Sequence, residues 1–140
     1  SNPPLPAVGT AGSTVNLSAV FDGWGYVHLF DAKTLEEIDT YAVAEALNPA
    51  YATGFGALSV HEVAVDRESD LAYLSYYDAG LRVIKFDASG IQEVGHFIDP
   101  GGNDFWGVQV FRLPDDPTET TYVAASDRDS GLWIFRYTGP

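Results

Sequence analysis

Three segments of this chain repeat one pattern. Each has an Asp, a Gly two or three residues later, and an alternating apolar run. They are Val20–Phe30, Tyr76–Phe86 and Arg128–Tyr137, with Gly25, Gly80 and Gly131 at matching places, 55 and 51 residues apart. A recurring unit of this length buries its apolar face only against its neighbours, so the repeat constrains the fold more than any composition figure.

Each copy reads as strand, tight turn, strand. Leu71–Tyr77 and 121–126 are rich in Tyr, Val and small residues, which suit a pleated, half-buried surface. The Asp-x-Gly that follows supplies a turn, because glycine reaches positive φ without steric cost. A second turn, Asp87-Ala88-Ser89-Gly90, leads to the run Ile91–Ile98, matched in the first copy by Glu36–Val43. Upstream of the later Tyr-rich strands lie Leu58–Val65 and Phe105–Phe111. The full unit is therefore four antiparallel strands in about 50 residues, the strand count and period of a β-propeller blade. Only Val43–Leu47 hints at helix, and Asn48-Pro49 ends it.

The predicted fold is all-β: a partial β-propeller of about two and a half four-stranded antiparallel blades. Residues 1–14 are expected to be an extended linker, and 15–140 the partial propeller. Within it, 15–45 is an incomplete blade, 58–98 a complete one and 104–138 another incomplete one. Such an arc exposes unpaired edges, so the expected partners are the remainder of a propeller or other copies of the chain.

The run Leu71-Ala72-Tyr73-Leu74-Ser75-Tyr76-Tyr77-Asp78-Ala79-Gly80-Leu81-Arg82-Val83-Ile84 resembles the LVIVD repeat of secreted bacterial and archaeal propeller-like proteins. Phe105-Trp106-Gly107-Val108 and Ala125–Phe135 are similar to that family's closing repeat. The resemblance covers residues 56–137 well and 15–43 more weakly. It implies the C-terminal portion of a larger extracellular or cell-surface propeller. It carries over no catalytic residue, and the chain has fewer repeats than family members.

Charge and missing residue types narrow the functions. Twenty acids against seven bases give a net charge of −13. That excludes nucleic acid and anionic membrane surfaces, which require Lys/Arg patches. No apolar run approaches the roughly 20 residues of a spanning helix, so membrane insertion is not expected. With no cysteine, disulfides, thiolate metal sites and cysteine nucleophiles are excluded. The absence of methionine implies a chain that starts after processing or was cut from something longer.

Candidate site residues cluster near the turns. The histidines, His28, His61 and His96, have no local metal-ligand spacing. His61 precedes Glu62 on the expected innermost strand, where neighbouring residues point to opposite faces and cannot chelate one ion together. Asp127 and Asp129 lie before Gly131 and could offer oxygens to Ca²⁺. Asp22 and Asp78 occupy places equivalent to Asp129, which favours an Asx turn in each copy over a metal site. The loop Asp99–Asp104 is expected to be a plain connection with Trp106 packed between blades; the alternative is that it holds a sugar or peptide by stacking and polar contacts. His61, Glu62, Asp104, Trp106, Asp127 and Arg128 are thus the candidate ligand-binding residues. No Gly-x-Ser-x-Gly run exists, and Asn16-Leu17-Ser18 fits a glycosylation sequon.

These observations favour a non-enzymatic binding or scaffold module that contacts protein or glycan. The alternative is a Ca²⁺-assisted hydrolase or lactonase working in the channel, with His61, Glu62, Asp104 and Asp127 as its residues.

Overall fold

The computed structural model describes residues 25–51 and 57–139. It is all-β, with three antiparallel sheets whose strands are neighbours in chain order. Sheet 1 pairs β1 (Val27–Phe30) with β2 (Glu37–Tyr41). Sheet 2 joins β3 (Glu62–Asp66), β4 (Leu71–Ser75), β5 (Leu81–Asp87) and β6 (Gly90–Phe97). Sheet 3 joins β7 (Phe105–Phe111), β8 (Tyr122–Asp127) and β9 (Gly131–Arg136).

The four strands expected within 58–98 and the three within 104–138 are both present. The expected 1–14 linker, the strand before Gly25, Asp22 and the Asn16 sequon lie outside the described residues. The helical hint at 43–47 becomes a 3₁₀ turn, Ala44–Leu47, and a second one spans Pro49–Tyr51.

Aspartates build the turns. Asp31 accepts N–H bonds from Lys33 and Thr34 at 2.7 and 2.8 Å. Asp87 accepts from Ser89 at 2.6 Å, and Asp116 from Thr118 at 2.9 Å. An ionised carboxylate is the stronger acceptor for these donors, and the bonds hold Asp31, Asp87 and Asp116 below the usual carboxyl range. Much of the chain's acidity is therefore turn chemistry.

At the β4–β5 hairpin, Gly80 has φ +87°, and an added Cβ would lie 2.2 Å from the Phe97 carbonyl oxygen. Both the backbone angle and the space demand glycine there.

The sheets stack in chain order, and sheet 2 is covered on both faces. One face sends Ala72, Leu74, Tyr76 and Ile84 into a core with Val27 and Tyr41 of sheet 1, joined by Val43, Ala46 and Leu58. The other sends Ala64, Tyr73, Leu81 and Val83 against Phe105, Val108, Val123, Ala125, Trp133 and Phe135 of sheet 3. Double coverage explains the continuous buried runs in β4 and at the start of β5. In β1 and β9 more and less exposed residues alternate instead.

Polar anchors cross both interfaces. Between sheets 1 and 2, the Glu93 carboxylate accepts from Tyr41 Oη and, at 3.3 Å, from Arg82. His96 Nδ1 lies 2.9 Å from the same carboxylate. Burial alone would raise the Glu93 carboxyl, but Tyr41, Arg82 and His96 outweigh it and hold it low. Between sheets 2 and 3, both carboxylate oxygens of buried Asp66 accept from one Arg112 nitrogen, Nη2, at 2.9 and 3.0 Å.

One comparison isolates the stacking. Leu81 and Val83 on β5 correspond, counted from Gly80 and Gly131, to Leu132 and Ile134 on β9. The first pair is 3% and 5% exposed, the second 70% and 52%. Leu81→Ala should cost about 2–5 kcal/mol in denaturant unfolding, as buried Leu→Ala changes do. Leu132→Ala should stay within about 0.5 kcal/mol, as for a surface position. Equal losses at both sites would contradict the stacking order.

Candidate functional site

The candidate ligand residues converge where the starts of β3 and β7 lie side by side, and a backbone irregularity creates the meeting point. On β7, Phe105 pairs with Asp127 and Gly107 with Ser126, leaving Trp106 as the extra residue of a bulge. Phe105 is fully buried, whereas Trp106 is turned outward and 44% exposed. Bulges re-aim side chains in this way.

The bulge is pinned from sheet 2. The Trp106 carbonyl lies 2.8 Å from His61 Nδ1 and also accepts the Ser75 hydroxyl. A carbonyl only accepts, so Nδ1 carries a proton and donates it. One residue before, Tyr77 and Phe105 form an antiparallel bridge, with N···O distances of 3.0 and 3.3 Å. Tyr77 adopts φ +44°, an uncommon angle for a residue with a Cβ.

Four side chains form a continuous column. The Tyr77 and His61 rings are 5.5 Å apart, edge to face. The His61 and Trp106 rings lie 4.4 Å apart at 48°. The Arg128 guanidinium sits 5.0 Å from the Trp106 ring centre. Arg128 also pairs with the Asp104 carboxylate at 3.4 Å, and its N–H donates to the Asp104 carbonyl at 3.0 Å. At such an exposed position the cation–π contact contributes about 0.5–1 kcal/mol.

Asp104 feels an acidic neighbourhood. Burial raises its carboxyl, Arg128 opposes this, and Asp78, Asp129 and Asp127 add to the rise.

Asp127 has a different task. Its Oδ1 accepts the N–H groups of Asp129 and Ser130 at 2.9 and 2.8 Å, and its Oδ2 accepts that of Asp104 at 2.7 Å. The Asx turn is therefore made by Asp127, two residues before Asp129. Asp78, by contrast, reaches out of its own turn to the Ala57 N–H at 2.6 Å. Among the described residues, no three His, Asp or Glu side chains are grouped to hold a metal ion.

Glu62 and His61 both reach sheet 3, although neighbouring strand residues point to opposite faces. His61 lies just before β3 begins, where that alternation does not yet apply. The Glu62 carboxylate accepts from the Val108 N–H at 2.9 Å and from Gln109 at 3.4 Å, stitching β3 to β7.

The structure thus brings His61, Asp104, Trp106 and Arg128 together, with Asp127 beneath them and Glu62 on the adjoining seam. Sequence reading missed Tyr77 and Ser75. The signal was available: counted from the turn glycines, Tyr77 corresponds to Arg128, and Ser75 to Ser126, which also bonds the bulge through the Gly107 N–H at 2.9 Å. Chemically, the column offers an exposed indole, an imidazole and a guanidinium beside carboxylates. Ser75 is fully buried and already bonded to Trp106, which suits a positioning role and not a nucleophilic one.

No family model, curated protein or solved structure matches the chain.

The turn beneath the column makes a pH prediction. Burial alone would raise the Asp127 carboxyl, but its three backbone donors outweigh it and hold it below the usual range. Its stabilisation is therefore complete above the unfolded value, about 3.9, and is lost as pH falls through the lower folded value. Asp127→Asn turns an NH₂ toward one of those donors and should cost about 1–3 kcal/mol at neutral pH. It should also flatten the fall in melting temperature below about pH 4. An unaltered acid limb in calorimetry would rule this out.

Proposed function

We propose that the chain is a non-enzymatic binding or scaffold module, an arc of a larger secreted or cell-surface β-propeller of the LVIVD-repeat kind. In this reading it contacts protein or glycan through the column around Trp106. The observation that carries the contact surface is the bulge at Trp106. The fold buries Phe105 and Gly107 is held to β8, yet the intervening indole is turned outward and its carbonyl is fixed by His61 and Ser75. A large aromatic side chain held rigidly at the surface is a typical anchor for a partner. Stacking of three sheets in chain order supports the arc, since each sheet covers the next as blades do.

Arrays of glycans and peptides, probed with the native chain and with Trp106→Ala, test the proposal. The native chain should retain a defined set of ligands. The variant should lose about thirtyfold in affinity, the scale of an aromatic hot spot. Equal binding by both proteins removes Trp106 from the contact. Turnover of esters, lactones or glycosides without any binding partner overturns the non-enzymatic reading.

A further inference from the structure

The seam between sheets 2 and 3 has a second end. The Trp106 column stands where β3 and β7 start, and Asp66 and Arg112 meet where those strands end. Around that pair lies a cleft of about 480 Å³, between the β3–β4 turn and the residues that lead into β8. Glu68, Arg112 and Glu119 stand on its walls, and buried Tyr73 lies at its base.

Tyr73 carries the argument. It is 2% exposed, yet its hydroxyl bonds to no described residue. That hydroxyl is not sealed in either, because Asn103 Nδ2 is the one unpaired side-chain atom fully enclosed among the described residues. It therefore opens on a cleft. Burial pushes the Tyr73 phenol up, and Asp66 and Tyr137 add to the rise while Arg112 opposes it, so the oxygen lies among these groups. Asp66 and Arg112 stand on this cleft and not on the neighbouring one beside β6. The repeat itself requires no phenol here: counted from the turn glycines, the corresponding residue of β8 is Ala124. Buried polar groups are paired in folded proteins, so a hydroxyl left open at the base of a cleft is a donor held for a ligand.

The charges around it select the ligand. Asp66 accepts from Arg112 with both oxygens, from the Glu68 N–H at 3.2 Å and from the Thr121 hydroxyl at 3.4 Å. Glu68 in turn pairs with Arg112 at 3.3 Å. An incoming anion would meet Asp66, Glu68 and Glu119, and an incoming cation would meet Arg112 and Arg136. Neither sign finds an unopposed partner. A neutral ligand with several hydroxyls does, since the Tyr73 hydroxyl and the guanidiniums donate while Glu68 and Glu119 accept. Leu71 and Tyr137 add apolar surface, and a cleft of this size has room for a sugar ring.

We infer that this cleft binds a neutral pyranose, free or at the end of a glycan chain, and that the Tyr73 hydroxyl donates to it. The site is separate from the Trp106 column, and neither reading needs the other.

The probes are the methyl pyranosides of glucose, galactose and mannose, with glucuronate and glucosamine as charged counterparts. Each is titrated into the isotopically labelled 140-residue chain and read by amide NMR. A neutral pyranoside should shift residues 68–73 and 119–121, and the charged sugars should bind more weakly. Tyr73→Phe removes an oxygen that holds nothing in the fold. Its melting temperature should be unchanged, while affinity falls about fivefold, the loss of one hydrogen bond. Glu119→Gly removes an acceptor and relieves a backbone at φ +51°, so it should stay folded and also bind more weakly. Tighter binding of maltose or lactose assigns the cleft to a glycan end, equal binding to the free ring, and both uphold the inference. Four outcomes overturn it: no response of the cleft to any pyranoside at hundred-millimolar concentration, tighter binding of a charged sugar, equal affinity in Tyr73→Phe, or a lower melting temperature in Tyr73→Phe, which would show the hydroxyl bonded within the fold. Loss of pyranoside binding in Trp106→Ala places the sugar on the column and overturns it as well.

Discussion

Burial of sheet 2 on both faces is the constraint from which the rest follows. A sheet covered on one side only can alternate apolar and polar residues. β4 and the start of β5 cannot, because Leu74 and Ile84 face one core while Tyr73 and Val83 face the other. The same double coverage forces polar groups at the interfaces to be paired. Asp66 is held by Arg112, and Arg82 reaches both the Ala79 carbonyl and Glu93. A buried charge without such a partner would cost several kcal/mol, on the order of the stability of a small domain.

The stacking also produces the column. Sheets 2 and 3 meet along β3 and β7, where the Glu62 carboxylate supplies a bond to the Val108 N–H. At the start of that seam the β7 ladder slips by one residue. Phe105 keeps its place in the core and Trp106 is displaced outward. His61 and Ser75 then hold the displaced carbonyl, so the indole's position is set by sheet 2 as much as by its own strand. The column is a product of the interface between two sheets and belongs to neither alone.

The acidic composition divides into two roles. Asp31, Asp87, Asp116 and Asp127 close turns by accepting backbone N–H groups, and their charge stabilises the fold. Asp104 and its neighbours Asp78 and Asp129 crowd one another, with Arg128 as the cation paired with Asp104. A net charge of −13 is thus partly structural, and only the remainder shapes the surface that a partner meets.

Strands and turns were legible in the sequence because their causes are local. Alternation of side chains reveals a strand, and Asp with a nearby Gly reveals a hairpin, whatever lies across the interface. His61, Asp104, Trp106 and Arg128 could be named for the same reason, since each stands at a turn or a strand start. Their gathering could not be read, because it depends on a one-residue slip in β7 and on contacts such as those of Ser75 and His61 with Trp106, 31 and 45 positions away. Nor could the sequence distinguish Leu81 from Leu132, which stand at matching places after similar turns. One is buried and the other exposed only because sheet 3 covers sheet 2, and burial is a property of neighbours brought together by folding.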